Sequence, residues 1–219
     1  MTAGVLLAHG SPDPRSGHAV RDAADRLAAL RGSEVAVAFL EHDRPTLAEA
    51  VAPLEGPVAV LPLLLSSAYH LREDVPAAVR AAGRPVHVAD AVGHPPDVLD
   101  LLLRRAAAPA VVVAAGTRRR AEREAFARAV AAASRRTGVV ARAAFATGPG
   151  PRLDDAVPGR AVVPWLLAPG RLLDRVRDCA ARHEQPVVGD GLLAEPAFLA
   201  VLDGRLQDAS VAPRAGVAS

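Results

Sequence analysis

Three side chains in the first half of the chain stand out by type and position: His9, Glu41 and His70. Each lies at or just beyond the C-terminal end of an apolar run that reads as a β-strand, and ligands of open α/β sheets bind beyond those ends. Two imidazoles and a carboxylate brought to one edge can hold a divalent metal or move protons near neutral pH.

A repeat supports the selection. Val5-Leu-Leu-Ala-His9-Gly10-Ser11 returns as Val111-Val-Val-Ala-Ala115-Gly116-Thr117, Val60-Leu-Pro62-Leu-Leu-Leu65 as Val162-Val-Pro164-Trp-Leu-Leu167, and Val88-Ala-Asp90 with Pro96 as Val188-Gly-Asp190 with Pro196. Three ordered matches displaced by about 100 to 106 residues indicate two whole subdomains rather than a solenoid. His9 then falls on Ala115, Glu41 on Thr147, and His70 on the Pro169–Leu172 region, which has no histidine. The three chemical groups vanish together while the strand pattern persists. Six of the seven histidines precede the repeat boundary. His18, His42, His87, His94 and His183 read as solvated or core residues, His42 and His94 being the two that could join the set.

The elements that must position these groups follow from periodicity. Short apolar runs alternate with helix-period segments, the pattern of parallel-sheet α/β architecture with both sheet faces covered. Strands are expected at 4–8, 34–40, 58–64, 85–89, 110–114, 139–145, 161–166 and 187–189, and helices at 18–30, 46–54, 74–82, 96–107, 118–136, 170–182 and 196–206. The expected division is 1–108 for a first lobe carrying the site, 109–208 for a degenerate second lobe, and 209–219 for a disordered tail.

Composition narrows the partners. The chain has 219 residues, with 51% hydrophobic but only 3% aromatic, so Ala, Val and Leu must build the core and base-stacking platforms are poorly supported. All 26 basic residues are Arg, which excludes P-loop and Schiff-base lysines. They are interleaved with 24 acidic residues, so no nucleic-acid stripe emerges, while guanidinium suits carboxylate ligands. No run is long enough for a membrane helix, and a cytoplasmic protein is expected. The single cysteine, Cys179, lies in a helix-period segment and reads as a packed core residue.

Leu7-Ala-His9-Gly10-Ser11, Phe39-Leu-Glu41 with Arg44-Pro45-Thr46-Leu47, and Leu63-Leu-Leu-Ser-Ser-Ala-Tyr69-His70-Leu-Arg-Glu-Asp74-Val-Pro76 together resemble the class II tetrapyrrole chelatases, sirohydrochlorin cobalt and iron chelatases in particular. The resemblance implies a chelatase-like fold of two similar lobes with a cleft between them, and insertion of Co2+ or Fe2+ into sirohydrochlorin for cobalamin or siroheme. Ni2+ also fits the donor set. It carries the family's metal and proton-accepting residues onto His9, His70 and Glu41. The macrocycle bears eight carboxylates, for which Ser11, Arg15, Ser66, Ser67 and Arg72 are the candidate anchors. The metal is substrate, no permanently bound cofactor is implied, and a two-lobed monomer is expected. One departure is Pro12, where the family pattern has Arg; Arg15 follows three residues later. Two other readings compete: a non-catalytic metal or tetrapyrrole carrier, and a histidine-dependent phosphoryl-transfer enzyme, which would want Arg in place of Ala8.

Overall fold

The computed structural model describes residues 2–65 and 73–211. Among the described residues seven strands and eight helices follow one another, alternating up to α7: β1 (Ala3–Ala8), α1 (Pro14–Arg31), β2 (Val35–Phe39), α2 (Leu47–Val51), β3 (Val58–Pro62), α3 (Asp74–Ala81), β4 (His87–Val88), α4 (Pro96–Ala106), β5 (Ala110–Ala114), α5 (Arg120–Thr137), β6 (Ala141–Phe145), α6 (Leu153–Ala156), β7 (Ala161–Trp165), α7 (Arg171–Arg182) and α8 (Pro196–Val211). They form two parallel sheets, ordered β2-β1-β3-β4 and β6-β5-β7. The fold is therefore α/β with two similar parallel-sheet subdomains, and the duplication is visible in the registers. Ala8 pairs with Phe39 as Ala114 pairs with Phe145, and Leu7 pairs with Pro62 as Val113 pairs with Pro164.

Alternation along each strand explains why both faces of the sheets are apolar. In the first sheet Val5, Leu7, Val58 and Val60 pack with Leu47, Ala50 and Val51 of α2 and Val75 of α3. The opposite face includes Gly4, where an added Cβ would lie 3.2 Å from Leu206 of α8. In the second sheet Val111, Val113 and Val162 pack with α6 and with Leu173, Val176 and Cys179 of α7. Rings contribute more here than composition suggests. Phe126, Phe145 and Trp165 lie with centroids 5.8 and 6.5 Å apart around Phe126.

The chain divides into two compact units, residues 1–93 with 199–219, and 94–198. This differs from the expected 1–108 and 109–208 at two helices. Helix α4 packs in the second unit against α5 and β7, and from Leu199 onward α8 belongs to the first unit. There Asp203 accepts a 2.6 Å hydrogen bond from Arg31 of α1. Apolar periodicity shows that a helix has a face to bury, but it does not say which sheet receives it.

Local boundaries also moved for identifiable reasons. Helix α1 begins four residues before the expected start because Asp13 caps it, its carboxylate accepting from the Arg15 N–H, and Pro14 occupies the first turn. The strand expected at 187–189 is reduced to a bridge between Val162 and Val187. Helix α6 and a 3-10 turn at Leu192–Ala194 were not anticipated, four and three residues being too short for a periodic signal. Helix α8 runs to Val211, so residues 209–211 are helical rather than part of a tail. Among the described residues no helix is long and apolar enough to cross a membrane.

Candidate active site at the C-terminal edge of the first sheet

Strands β1 and β2 are adjacent and parallel, so the residues following them emerge side by side. The pairing continues past the strand ends: Leu40 N–H donates to Ala8 C=O at 2.9 Å and Glu41 N–H to His9 C=O at 2.8 Å. His9 and Glu41 are thereby brought together, as their strand-end positions predict. His9 is half-buried and Glu41 exposed.

The loop carrying Glu41 is tightly closed. Phe39 N–H donates to Pro45 C=O at 2.9 Å and Asp43 N–H to Glu41 C=O at 2.7 Å, with His42 in the left-handed region at φ 63°. Arg21 of α1 lies with its guanidinium carbon 5.1 Å from the centre of the Phe39 ring and donates to Arg44 C=O at 2.9 Å, bracing the loop from outside. Thr46 then starts α2 with a capping box: its hydroxyl accepts from Glu49 N–H, and the Glu49 carboxylate accepts from Thr46 N–H at 2.7 Å. That hydrogen bond, with those from Arg44 and the Thr46 hydroxyl, holds the Glu49 carboxyl down at about 2.

Gly10 sets the spacing between the two loops. Its φ is 93°, and a Cβ at this position would lie 1.7 Å from the Glu41 carbonyl oxygen. Only glycine lets the backbones meet this closely. The second unit repeats the device without the chemistry. Thr147 N–H donates to Ala115 C=O at 2.9 Å, and a Cβ on Gly116 would lie 2.1 Å from the Thr147 carbonyl oxygen. Ala115 and Thr147 therefore occupy the structural places of His9 and Glu41. The Thr147 hydroxyl folds back onto the Ala115 carbonyl at 2.8 Å.

Two more residues lie beside the pair: His42, one of the two further histidines open to joining the set, and Asp43, which strand-end reasoning did not select. His42 Nε2 lies 3.5 Å from Glu41 Oε2, and its ring stacks near His9 with centroids 6.4 Å apart and planes 28° from parallel. Asp43 accepts from Ser11 N–H at 3.2 Å, tying the His9-Gly-Ser loop to the Glu41 loop. The run Glu41-His42-Asp43 directly after a strand was the available signal.

Among the expected rim anchors, Ser11 accepts from Asp13 N–H at 3.1 Å. Arg15 is engaged bidentately by Asp13, Nε to Oδ1 at 3.0 Å and a terminal nitrogen to Oδ2 at 2.6 Å. His70, Ser66, Ser67 and Arg72 lie outside the described residues. Of the remaining histidines, His94 is a half-buried residue of the second unit beside Phe126 and Trp165: its Nδ1 accepts from Trp165 Nε1 at 3.0 Å, and burial pushes its pKa down.

Residues 3–108 match the family model described as CbiX. No curated protein matches the chain. Among solved structures, the chain is similar to the sirohydrochlorin chelatase SirB from Bacillus subtilis subspecies spizizenii in complex with cobalt, with TM-score 0.74 and 20% identity over 95% of each chain. It is similar also to CbiX, described as the terminal enzyme for biosynthesis of siroheme in denitrifying bacteria, with TM-score 0.72 and 21% identity over 94% of this chain and 98% of that one. DR2241 from Deinococcus radiodurans, a multi-domain protein with structural similarity to chelatases, matches with TM-score 0.73 and 19% identity over 95% of this chain and 55% of its own.

Two parallel sheets of one strand order, matched over nearly the whole chain, define the duplicated fold of the chelatases. Residues 3–108, which hold His9, Glu41 and their supporting loops, are the part of the chain that resembles the CbiX family.

Proposed function

We propose that this protein inserts a divalent metal, Co2+ or Fe2+, into sirohydrochlorin, as a step toward cobalamin or siroheme. The observation that carries the reading is the junction of His9 and Glu41 at one sheet edge, within the segment that matches the family and without a chemical counterpart in the second unit. The similar Bacillus structure is a sirohydrochlorin chelatase holding cobalt, which supports both the substrate and the metal class.

Metallation forms metal–nitrogen bonds while two pyrrole N–H protons leave. His9, acting with His70, presents the ion to the macrocycle and accepts a proton at imidazole nitrogen. Glu41 is an auxiliary oxygen ligand, and with His42 3.5 Å away it offers the released proton a path outward. Substrate carboxylates are held by Ser11, Arg15, Ser66, Ser67 and Arg72; for Arg15 this means exchanging the Asp13 carboxylate for one on the substrate. The metal passes through as substrate, with no resident cofactor, in a cytoplasmic two-lobed monomer.

The absorption change of sirohydrochlorin on adding Co2+ or Fe2+ tests the reading. Wild-type protein at catalytic concentration should convert excess substrate, and His9→Ala should slow insertion by about 100-fold or more with the fold retained. Near-wild-type turnover in His9→Ala would overturn the site assignment. A spectral change that stops at one equivalent per chain would make the protein a carrier instead.

A further inference from the structure

The second unit lacks the histidine and glutamate of the first, yet it gathers a different donor set. Cys179 and His183 stand four residues apart at the C-terminal end of α7, a spacing that puts both on one helix face, and Asp154 of α6 comes against them. Cys179 Sγ lies 3.4 Å from Asp154 Oδ1, and His183 Nε2 lies 3.7 Å from the same oxygen. One donor atom from each of the three residues lies within 4.8 Å of the others.

These separations are close to those a bound ion needs. Tetrahedral coordination with metal–sulfur bonds of about 2.3 Å and metal–nitrogen or metal–oxygen bonds of about 2.0–2.2 Å sets donors roughly 3.3–3.8 Å apart. A cavity of about 670 Å³ is bordered by Asp154 and Cys179, leaving space for water as a fourth ligand. We propose that Asp154, Cys179 and His183 form a second divalent-metal site, one that takes Zn2+ or Co2+ through carboxylate, thiolate and imidazole. The soft sulfur and the imidazole select such ions over Mg2+ or Ca2+.

Binding requires two local changes. The Cys179 thiol, whose pKa is raised by burial and by Asp154, gives its proton to solvent as the metal–sulfur bond forms. Arg182, which donates to Asp154 Oδ1 at 2.7 Å, releases that oxygen to the ion. A thiolate and a carboxylate against one divalent ion leave a neutral centre, which the nearby Arg175 and Arg182 tolerate. The ion would tie α6 to α7, binding the folded state and not the open chain.

Titrating the reduced full chain with Co2+ reads the site directly, because Cys179 is the only sulfur able to give a thiolate-to-cobalt charge-transfer band. The band should saturate at one equivalent and be displaced by Zn2+. Cys179→Ser should abolish it, and His183→Ala, at the partly exposed helix end, should weaken Co2+ binding about tenfold or more. Zn2+ should raise the melting temperature of His9→Ala, and should raise it less in the His9→Ala/His183→Ala double variant. His9→Ala and Glu41→Gln should keep the band, so failure of the chelatase reading and failure of this one are separable. Wild-type protein with a reduced, titratable thiol but no thiolate band would overturn the proposal, as would unchanged Co2+ affinity in His183→Ala.

Discussion

The main-chain N–H of Glu41 donates to the carbonyl of His9 at 2.8 Å, so the imidazole and the carboxylate leave the sheet from neighbouring strands with their backbones hydrogen-bonded. The proposed chemistry depends on that junction, and Gly10 is what permits it.

Replacing Gly10 by Ala should therefore cost about 2–4 kcal/mol, combining the positive-φ penalty with a Cβ driven into the Glu41 carbonyl. Gly116→Ala meets the same obstacle at Thr147 and should lose a similar amount. Urea unfolding of the two variants checks this. Wild-type stability in Gly10→Ala would show that the loops separate more easily than their hydrogen bonding suggests.

Glu41→Gln keeps the side-chain shape and removes the charge beside His42. Metal insertion should slow by roughly 10²-fold or more if the carboxylate takes part in proton removal, while the denaturation midpoint stays near wild type because Glu41 is exposed. Steady-state insertion rates paired with urea melts separate the two effects.

His94 should make the second unit acid-sensitive. Its Nδ1 accepts a hydrogen bond from Trp165, so the folded state favours the neutral ring, and burial lowers its pKa below the ordinary value. The stabilisation is complete above the unfolded pKa of about 6.5 and is lost as pH falls through the lower folded value. Denaturant midpoints between about pH 7.5 and about pH 5.5 should fall for wild type and flatten in His94→Gln.

Glu49 should behave oppositely to an ordinary surface carboxylate in acid. Held at about 2 by the Thr46 N–H, Arg44 and the Thr46 hydroxyl, it stays ionised where free glutamate is protonated. Its contribution to the start of α2 is present above the ordinary carboxyl pKa and is lost as pH falls toward about 2. A carboxyl NMR titration reads this directly, and Thr46→Ala should move the Glu49 midpoint back up.

Much of this was legible along the chain. The runs at Val5, Val60, Val111 and Val162 are apolar at successive positions, and only strands covered on both faces tolerate that, so the strands and the duplication could be read without coordinates. The placing of His9 and Glu41 followed, since parallel strands deliver their C-terminal ends to one edge. His42 and Asp43 were harder, because whether a loop residue turns toward the site depends on the φ of 63° at His42 and on the Phe39–Pro45 closure.

Order in the chain thus sufficed for the two parallel-sheet units and the edge at which a histidine and a glutamate emerge, because these follow from local apolar patterning repeated twice, while the strand order within each sheet came from the structure. Tertiary structure decided which sheet each long helix covers, with α4 packing in the second unit and most of α8 in the first. It alone brought Asp154 within reach of Cys179 and His183. The physical reason is the same in both cases: an apolar face or a polar donor specifies that it needs a partner, and only the closed chain specifies which one.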